Sequence, residues 1–386
     1  MNYDFDEVID RYDSDSSKWH YYAKGVLPLW TADMDFRCPE PVIQALRSRV
    51  DHGIFGYGME PPGLRELIVE RLAQLYGWRI QPEEIVFPTG VVVGFNRVCQ
   101  AAAAPGEGVL VQPPVYPPML AAPAQHGLVR QEAELRRMPD GRYEIDFESF
   151  EAAITDRTRV FILCNPHNPV GRAFLRSELQ RMAEICLRRN VLICSDEIHC
   201  DILFSGVRHI PIASLDPEVA RRTVTLLAPS KTYNIPGLHC SIAIVPDPVL
   251  RRKIGQSESP YFSEVNVLGY TAALAAYRDG QEWLDQLLPY LEGNRDLVFE
   301  FLKSELPDIK MYKPEATYLA WLDCRGAGIP GNPFGFFLQK ARVALFDGCR
   351  FGTGGEGFVR LNFGCPRSTL RRALNQMKSA KNGVRS

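Results

Sequence analysis

The chain has 386 residues, 46% of them hydrophobic and 23% charged, with a formal net charge of −2. That length allows a large core and two domains, and the near-neutral charge gives no footing for a nucleic acid or an anionic membrane as partner. No apolar run reaches the ~18 residues of a membrane span, and the ten scattered cysteines form no Cys-x-x-Cys pair and no zinc spacing with histidine.

Residues 1–38 read as an irregular arm, dense in aromatics around Trp19, Trp30 and Phe36, and expected to pack on another surface. Its acidic start lacks the pattern of a signal peptide. Helices are predicted from about Glu40 to Asp51 and from Gly63 to Tyr76, with the glycine-flanked aromatic Gly56-Tyr57-Gly58 between them. From residue 84 short apolar runs alternate with helical segments. The runs are Glu84 to Phe87, Gly108 to Val111, Arg159 to Cys164, Val191 to Ser195, Thr223 to Leu227 and Ser241 to Val245. The helices are Val91 to Ala103, Ser177 to Arg188, Val249 to Gly255 and Asn266 to Ala276. This texture predicts an α/β fold with a mostly parallel sheet covered by helices. A long helix from Gln281 to Ser304 leads into a smaller α+β part, with strands at Met311-Tyr312, Thr317 to Leu322 and Gly357 to Phe363 and helices at Pro333 to Val343 and Arg367 to Lys378. Lys381 to Ser386 are expected to fray. The domain reading is therefore an arm (1–38) joined to a small domain (281–386), around a large domain (39–280). Cys164, Cys194 and Cys240 lie in or beside apolar runs and read as small buried hydrophobes of a reduced, cytoplasmic protein.

Parallel sheets bind ligands at the carboxyl ends of their strands, so the residues after each run are the candidates for chemistry. Thr89-Gly90-Val91-Val92 opens a helix whose free amides suit a phosphate. Pro113-Pro114-Val115-Tyr116 holds an aromatic that can stack on a flat heterocycle. Asn165-Pro166-His167-Asn168-Pro169-Val170-Gly171 forces a rigid non-helical path past the sheet edge. Asp196 ends an apolar run, where a carboxylate is costly without a cation, and His199 follows three residues on. Ser230-Lys231 follows Thr223 to Leu227. Alone, Lys231 reads as a solvated loop lysine. Joined to a phosphate turn, a stacking ring and a buried carboxylate, it reads as a lysine that forms a Schiff base with pyridoxal 5'-phosphate (PLP).

The sequence resembles the fold-type I PLP enzymes of the aspartate aminotransferase superfamily, and within them the MalY/PatB group of cystathionine β-lyase-like carbon–sulfur lyases. The resemblance rests on Trp30-Thr31-Ala32-Asp33-Met34-Asp35-Phe36, Gly56-Tyr57, Asn165 to Arg172, Ser195-Asp196-Glu197-Ile198-His199, Ser230-Lys231-Thr232-Tyr233-Asn234 and Arg360-Leu361-Asn362-Phe363, and it spans nearly the whole chain. It implies a seven-stranded, mostly parallel sheet. It also implies that Lys231 carries the cofactor and moves protons, Asp196 pairs with the pyridine nitrogen, Tyr116 stacks on the ring, and Asn168 and His199 meet the phenolic oxygen. Gly90, Val91, Val92 and Ser230 would bind phosphate, together with Tyr57 from the second subunit of a homodimer. Arg360, with Ala32 and Asn168, would hold the substrate carboxylate. The implied reaction is α,β-elimination of cystathionine or another S-substituted cysteine to pyruvate, ammonia and a thiol. The alternatives are an aminotransferase on the same scaffold and a PLP-binding regulatory protein of low turnover. The chain departs from the group's pattern at Asp13-Ser14, His20, Val93, Pro117-Pro118-Met119, His239 and Ala316, which lie toward the substrate mouth and the phosphate turn.

Overall fold

The computed structural model describes residues 1–255 and 265–385. A seven-stranded sheet forms its centre, from β1 (Ile85–Val86), β2 (Gly108–Val111), β3 (Val129–Glu132), β4 (Thr158–Cys164), β5 (Leu192–Asp196), β6 (Thr223–Leu227) and β7 (Ile242–Ile244). The strand order is β1-β7-β6-β5-β4-β2-β3. Only β7 runs against its neighbours. The mostly parallel sheet is as expected, with β1, β2, β4, β5 and β6 all ending on one edge.

The unbroken apolar runs follow from burial on both faces. Leu110, Phe161, Leu163 and Ile193 pack on one side, where the helix Arg176–Arg188 presents Leu179, Met182 and Cys186. Val109, Val111, Val160, Ile162 and Cys194 face the other, under the helix Val91–Ala102. Gly94 on that helix lies against β6, where a Cβ would come within 2.9 Å of Leu226. Cys164, Cys194 and Cys240 are buried, and all ten cysteines are free.

A second sheet is antiparallel and has four strands, β8 (Lys310–Met311), β9 (Leu319–Asp323), β10 (Phe346–Asp347) and β11 (Phe358–Asn362), in the order β8-β9-β11-β10. It packs with the long helix Gln281–Glu305 and the helix Arg367–Arg385 in a core that also takes Phe5, Leu27, Leu29, Met34 and Phe36 of the arm. The arm is thus built into the core, as its aromatics predict. It carries a one-turn helix, Ser17–His20, and a short strand, Leu27–Pro28, paired parallel with Val343–Ala344.

Some expectations are corrected. The predicted helix Pro333 to Val343 ends early: an α turn (Pro333–Phe336) passes into a π turn (Phe337–Ala341), and Arg342 at φ 57° reverses the chain into the strand with Val343. The terminus does not fray at Lys381, because the last helix runs to Arg385 with Lys381 buried; Ser386 lies outside the described residues. β3 and the hairpin Leu135–Arg137/Tyr143–Ile145 were not predicted. Among the described residues no helix is long and apolar enough to cross a membrane.

Candidate active site

Lys231 sits on a one-turn helix, Pro229–Thr232, at the end of the fully buried β6. Both residues after it are anchored. Thr232 donates to Asp201 (3.1 Å), which also takes Arg71 (2.8 Å). Tyr233 is buried and lies 6.3 Å from Trp283, centroid to centroid. The Lys231 ammonium donates to the carbonyl of Ala32 at 2.7 Å. Burial lowers its pKa to about 8, against the opposing pull of Asp33, with Arg360 lowering it further.

Asp196 ends β5 and is 4% exposed. Its carboxylate accepts from the Ile198 amide (3.0 Å) and makes no ion pair among the described residues. Burial pushes its pKa up to about 7, which the Ile198 amide and Lys231 oppose and the neighbouring Glu197 supports. Three residues on, His199 is buried, with Nδ1 lacking any partner among the described residues. Burial, Lys231 and Arg360 lower its pKa to about 3, so the ring is neutral.

The Asn-Pro loop is rigid for reasons beyond its prolines. His167 reaches the carbonyls of Pro114 (2.9 Å) and Cys164 (3.2 Å), and Arg172 grips both oxygens of Glu178. Gly171 turns the loop at φ 72°, where a Cβ would meet Pro314 at 2.4 Å. This places Asn168, whose side-chain oxygen accepts from Arg360 Nη1 at 2.9 Å. Arg360 lies on β11, 1% exposed, and its Nη2 donates to the Trp30 carbonyl (2.8 Å). Its Nε has no partner and no carboxylate pairs with it among the described residues. Burial lowers its pKa to about 10, while Tyr116 and Tyr318 raise it. An arginine paired with a nearby acid is therefore excluded in favour of one that lacks an anion.

Tyr116 precedes the helix Pro117–Gln125. Its phenol is raised chiefly by burial and feels both Arg360 and Asp196. Among the described residues no other aromatic ring contacts it. Gly90 opens the helix Val91–Ala102, which has no capping side chain, so the amides of Val91 and Val92 are free for an anion. Ser230 is on the Lys231 turn. Tyr57 is the exception: it is fully exposed on the connection before Leu64 and is not brought to this group within one chain.

Several groups at the site had no role assigned from sequence. Tyr318 donates to the Ala32 carbonyl (2.8 Å) and lies 6.0 Å from the His199 ring. Asn362 donates to the carbonyls of Thr31 (2.6 Å) and Asp33 (2.7 Å). Asn234 accepts from the Met34 amide and donates to the carbonyls of Met34 and Phe36. The arm segment 30–36 is thus threaded between the Lys231 turn and β11, with its backbone held from both sides. Asn234 and Asn362 lie within the quoted motifs; only the fold reveals that they grip the arm.

These groups fit PLP: a buried unpaired carboxylate for a protonated ring nitrogen, an orphaned imidazole nitrogen for a phenolic oxygen, an unstacked aromatic, free helix amides for a phosphate and a lysine for the aldehyde. The enclosed space among Arg137, Tyr143 and Trp321 is only about 10 Å³ and contains none of them.

The chain matches the family described as aminotransferase class I and II over residues 24–377. It is 41% identical to cystathionine beta-lyase PatB of Bacillus subtilis, across 97% of this chain and 99% of that protein. Among solved structures, that of OvoB superposes with a TM-score of 0.93 at 42% identity, covering 98% of this chain and 99% of that one. The cystalysin of Treponema denticola, whose crystal structure contains a pyridoxal 5'-phosphate cofactor, superposes at 0.95 with 31% identity, and each chain is fully covered.

Proposed function

The chain belongs to the aminotransferase class I and II family, and from that premise we propose that it is a PLP-dependent carbon–sulfur β-lyase acting on cystathionine or another S-substituted cysteine. The observation that carries the reading is a buried guanidinium, Arg360, with no anion and a buried carboxylate, Asp196, with no paired cation among the described residues, both near enough to act on Lys231. The choice of elimination over amino transfer rests on the full-length likeness to cystathionine beta-lyase PatB.

Bound at this site, PLP supplies an aldehyde that takes up the amino group and a ring that stores the electron pair left by the departing α-proton. The chain supplies the rest. Arg360 receives the substrate carboxylate through its two-pronged fork, with Asn168 fixing one prong. Asp196 keeps the ring nitrogen protonated. Asn168 and the neutral His199 would meet the phenolic oxygen, Tyr116 would cover the ring, and Gly90, Val91, Val92 and Ser230 would receive the phosphate. Lys231 takes the proton from Cα, a role suited to an amine whose pKa burial lowers to about 8 in the cofactor-free fold. The Ala32 carbonyl, which Tyr318 also holds, orients its amine. The C–S bond then breaks with its electron pair going to sulfur, and water completes the balance to pyruvate, ammonia and thiol.

The same proposal takes 39–280 as the cofactor-binding domain and 281–386 with the arm as the small domain. It takes the protein as a cytoplasmic homodimer in which Tyr57, on a loop that also exposes Ile54, Phe55 and Met59, reaches the partner's phosphate. The test is pyruvate release by the PLP-loaded protein from cystathionine, cystine and other S-substituted cysteines, with the visible absorption band of the bound cofactor followed in Lys231→Ala. The expected result is pyruvate from at least one substrate and loss of the band. Keto-acid-dependent turnover without pyruvate would instead make the protein an aminotransferase.

A further inference from the structure

Beside Arg360 runs a wall of aromatic rings that the mechanism above does not use. At its foot the Arg360 guanidinium lies 4.8 Å from the centroid of Phe346. Phe346 lies 6.2 Å from Trp30, with the rings 36° from parallel. Trp30 in turn meets Tyr21 at 4.9 Å and Tyr22 at 6.0 Å. The wall therefore runs from a buried cation outward to Tyr21, which is 68% exposed. Tyr21 and Tyr22 belong to the arm just before the strand Leu27–Pro28, and Phe346 to β10, so two distant segments of the chain supply the rings.

We propose that this wall receives the leaving half of the substrate, and that this half carries a flat aromatic or heteroaromatic ring on its sulfur. The inference rests on the lyase reading and narrows its substrate class. Position comes first. The two groups that would hold the amino acid, Arg360 and Lys231, donate to the carbonyls of Trp30 and Ala32, two residues apart on one segment. A substrate held between them lies beside the segment that carries Trp30. Shape comes second. Rings that meet offset or edge-on offer faces to another ring, and such pairs gain beyond the area they bury. Packing of the arm does not account for the outer rings, since Tyr21 leaves most of its surface in water while leaning on Trp30. Charge does not choose the guest, because Tyr22 lies near both Asp347 and Arg350. Flatness does.

The test compares a flat ring with a puckered ring of equal carbon count. O-benzyl-L-serine and O-cyclohexylmethyl-L-serine are oxygen isosteres of S-substituted cysteines whose alkoxides leave poorly, so their dissociation constants from the PLP-loaded protein can be read by calorimetry. The benzyl ether is expected to bind about tenfold tighter, the worth of two ring contacts. In the double variant Tyr21→Ser/Tyr22→Leu the ratio is expected to fall below about threefold. Tyr21→Ser alone, at an exposed position, is expected to reduce it part of the way. In parallel, the ratio of kcat/KM for pyruvate release from S-benzyl-L-cysteine and S-cyclohexylmethyl-L-cysteine is expected to fall in the same variants through KM. Equal binding of the two ethers by the unaltered protein, or a benzyl preference that survives both substitutions, would overturn the proposal. A benzyl preference in binding with no pyruvate from any S-substituted cysteine would leave the wall standing and overturn the lyase reading.

Discussion

On the proposed reading, Asp196 is the residue whose protonation most directly reports the cofactor. In the cofactor-free fold its pKa is raised to about 7, against an ordinary value of 3.8. Between those values the folded chain holds a proton that the unfolded chain has released, so stability falls as pH rises through this window, and the full penalty is present above pH 7. Asp196→Asn removes the buried charge. It should raise the Tm of the cofactor-free protein at pH 8 by the equivalent of a few kcal/mol, at ~1.4 kcal/mol per tenfold in proton affinity, and the gain should vanish toward pH 4. With PLP bound the sign reverses, because the carboxylate then has a cation. The same variant should lose turnover on the order of a hundredfold or more. Thermal melts with and without cofactor at the two pH values check both halves. At Arg360 the fork matters as well as the charge. Arg360→Lys is expected to raise KM for amino-acid substrates by roughly ten- to a hundredfold, with the cofactor spectrum unchanged.

At the scale of elements, the arm is the part whose role composition reveals least. Its aromatics signal packing, but the polar grip on residues 30–36 comes from Asn234 and Asn362, on segments far away in sequence. Asn234→Leu removes the side-chain partner of the Met34 amide and of the Phe36 carbonyl, and leaves the Met34 carbonyl only the long contact with Arg11 (3.4 Å). The expected cost is roughly 2–4 kcal/mol, read as faster amide hydrogen exchange in 30–36 and faster proteolysis of the arm. The strands of the large sheet were legible because burial on both faces leaves apolar runs such as Thr158–Cys164. β3, Val-Arg-Gln-Glu at the sheet edge, has two exposed and two half-buried residues, so no such run marks it. The helix predicted from Pro333 failed at Arg342, which adopts a left-handed conformation that its residue type does not announce. Lys231, Asp196, Tyr116 and Asn168 were legible because each follows a legible strand. Tyr318 was not, because its partner is a backbone carbonyl 286 residues away.

At the scale of the whole molecule, the fully exposed Tyr57 makes a prediction about pairs of chains. If it serves the partner's phosphate, Tyr57→Ala and Lys231→Ala chains should each be nearly inactive alone. Mixed and re-equilibrated, they should regain activity, because a hybrid dimer contains one site with an intact lysine and an intact tyrosine. Pyruvate assays on the mixture, with sedimentation to count chains, check this, and failure to complement in a proven dimer would place Tyr57 outside the site. The threading of the arm segment 30–36 between the Lys231 turn and β11 also bears on how the molecule comes into being. Arg360 meets the Trp30 carbonyl across 330 residues of chain, and contacts of such separation form late. During synthesis the large sheet, with Lys231 at its edge, can assemble before β11 has left the ribosome. For that interval Lys231 lacks Arg360, the group proposed to hold the substrate carboxylate. On the proposed reading, the lysine is in place before the chain acquires the group that would choose its substrate.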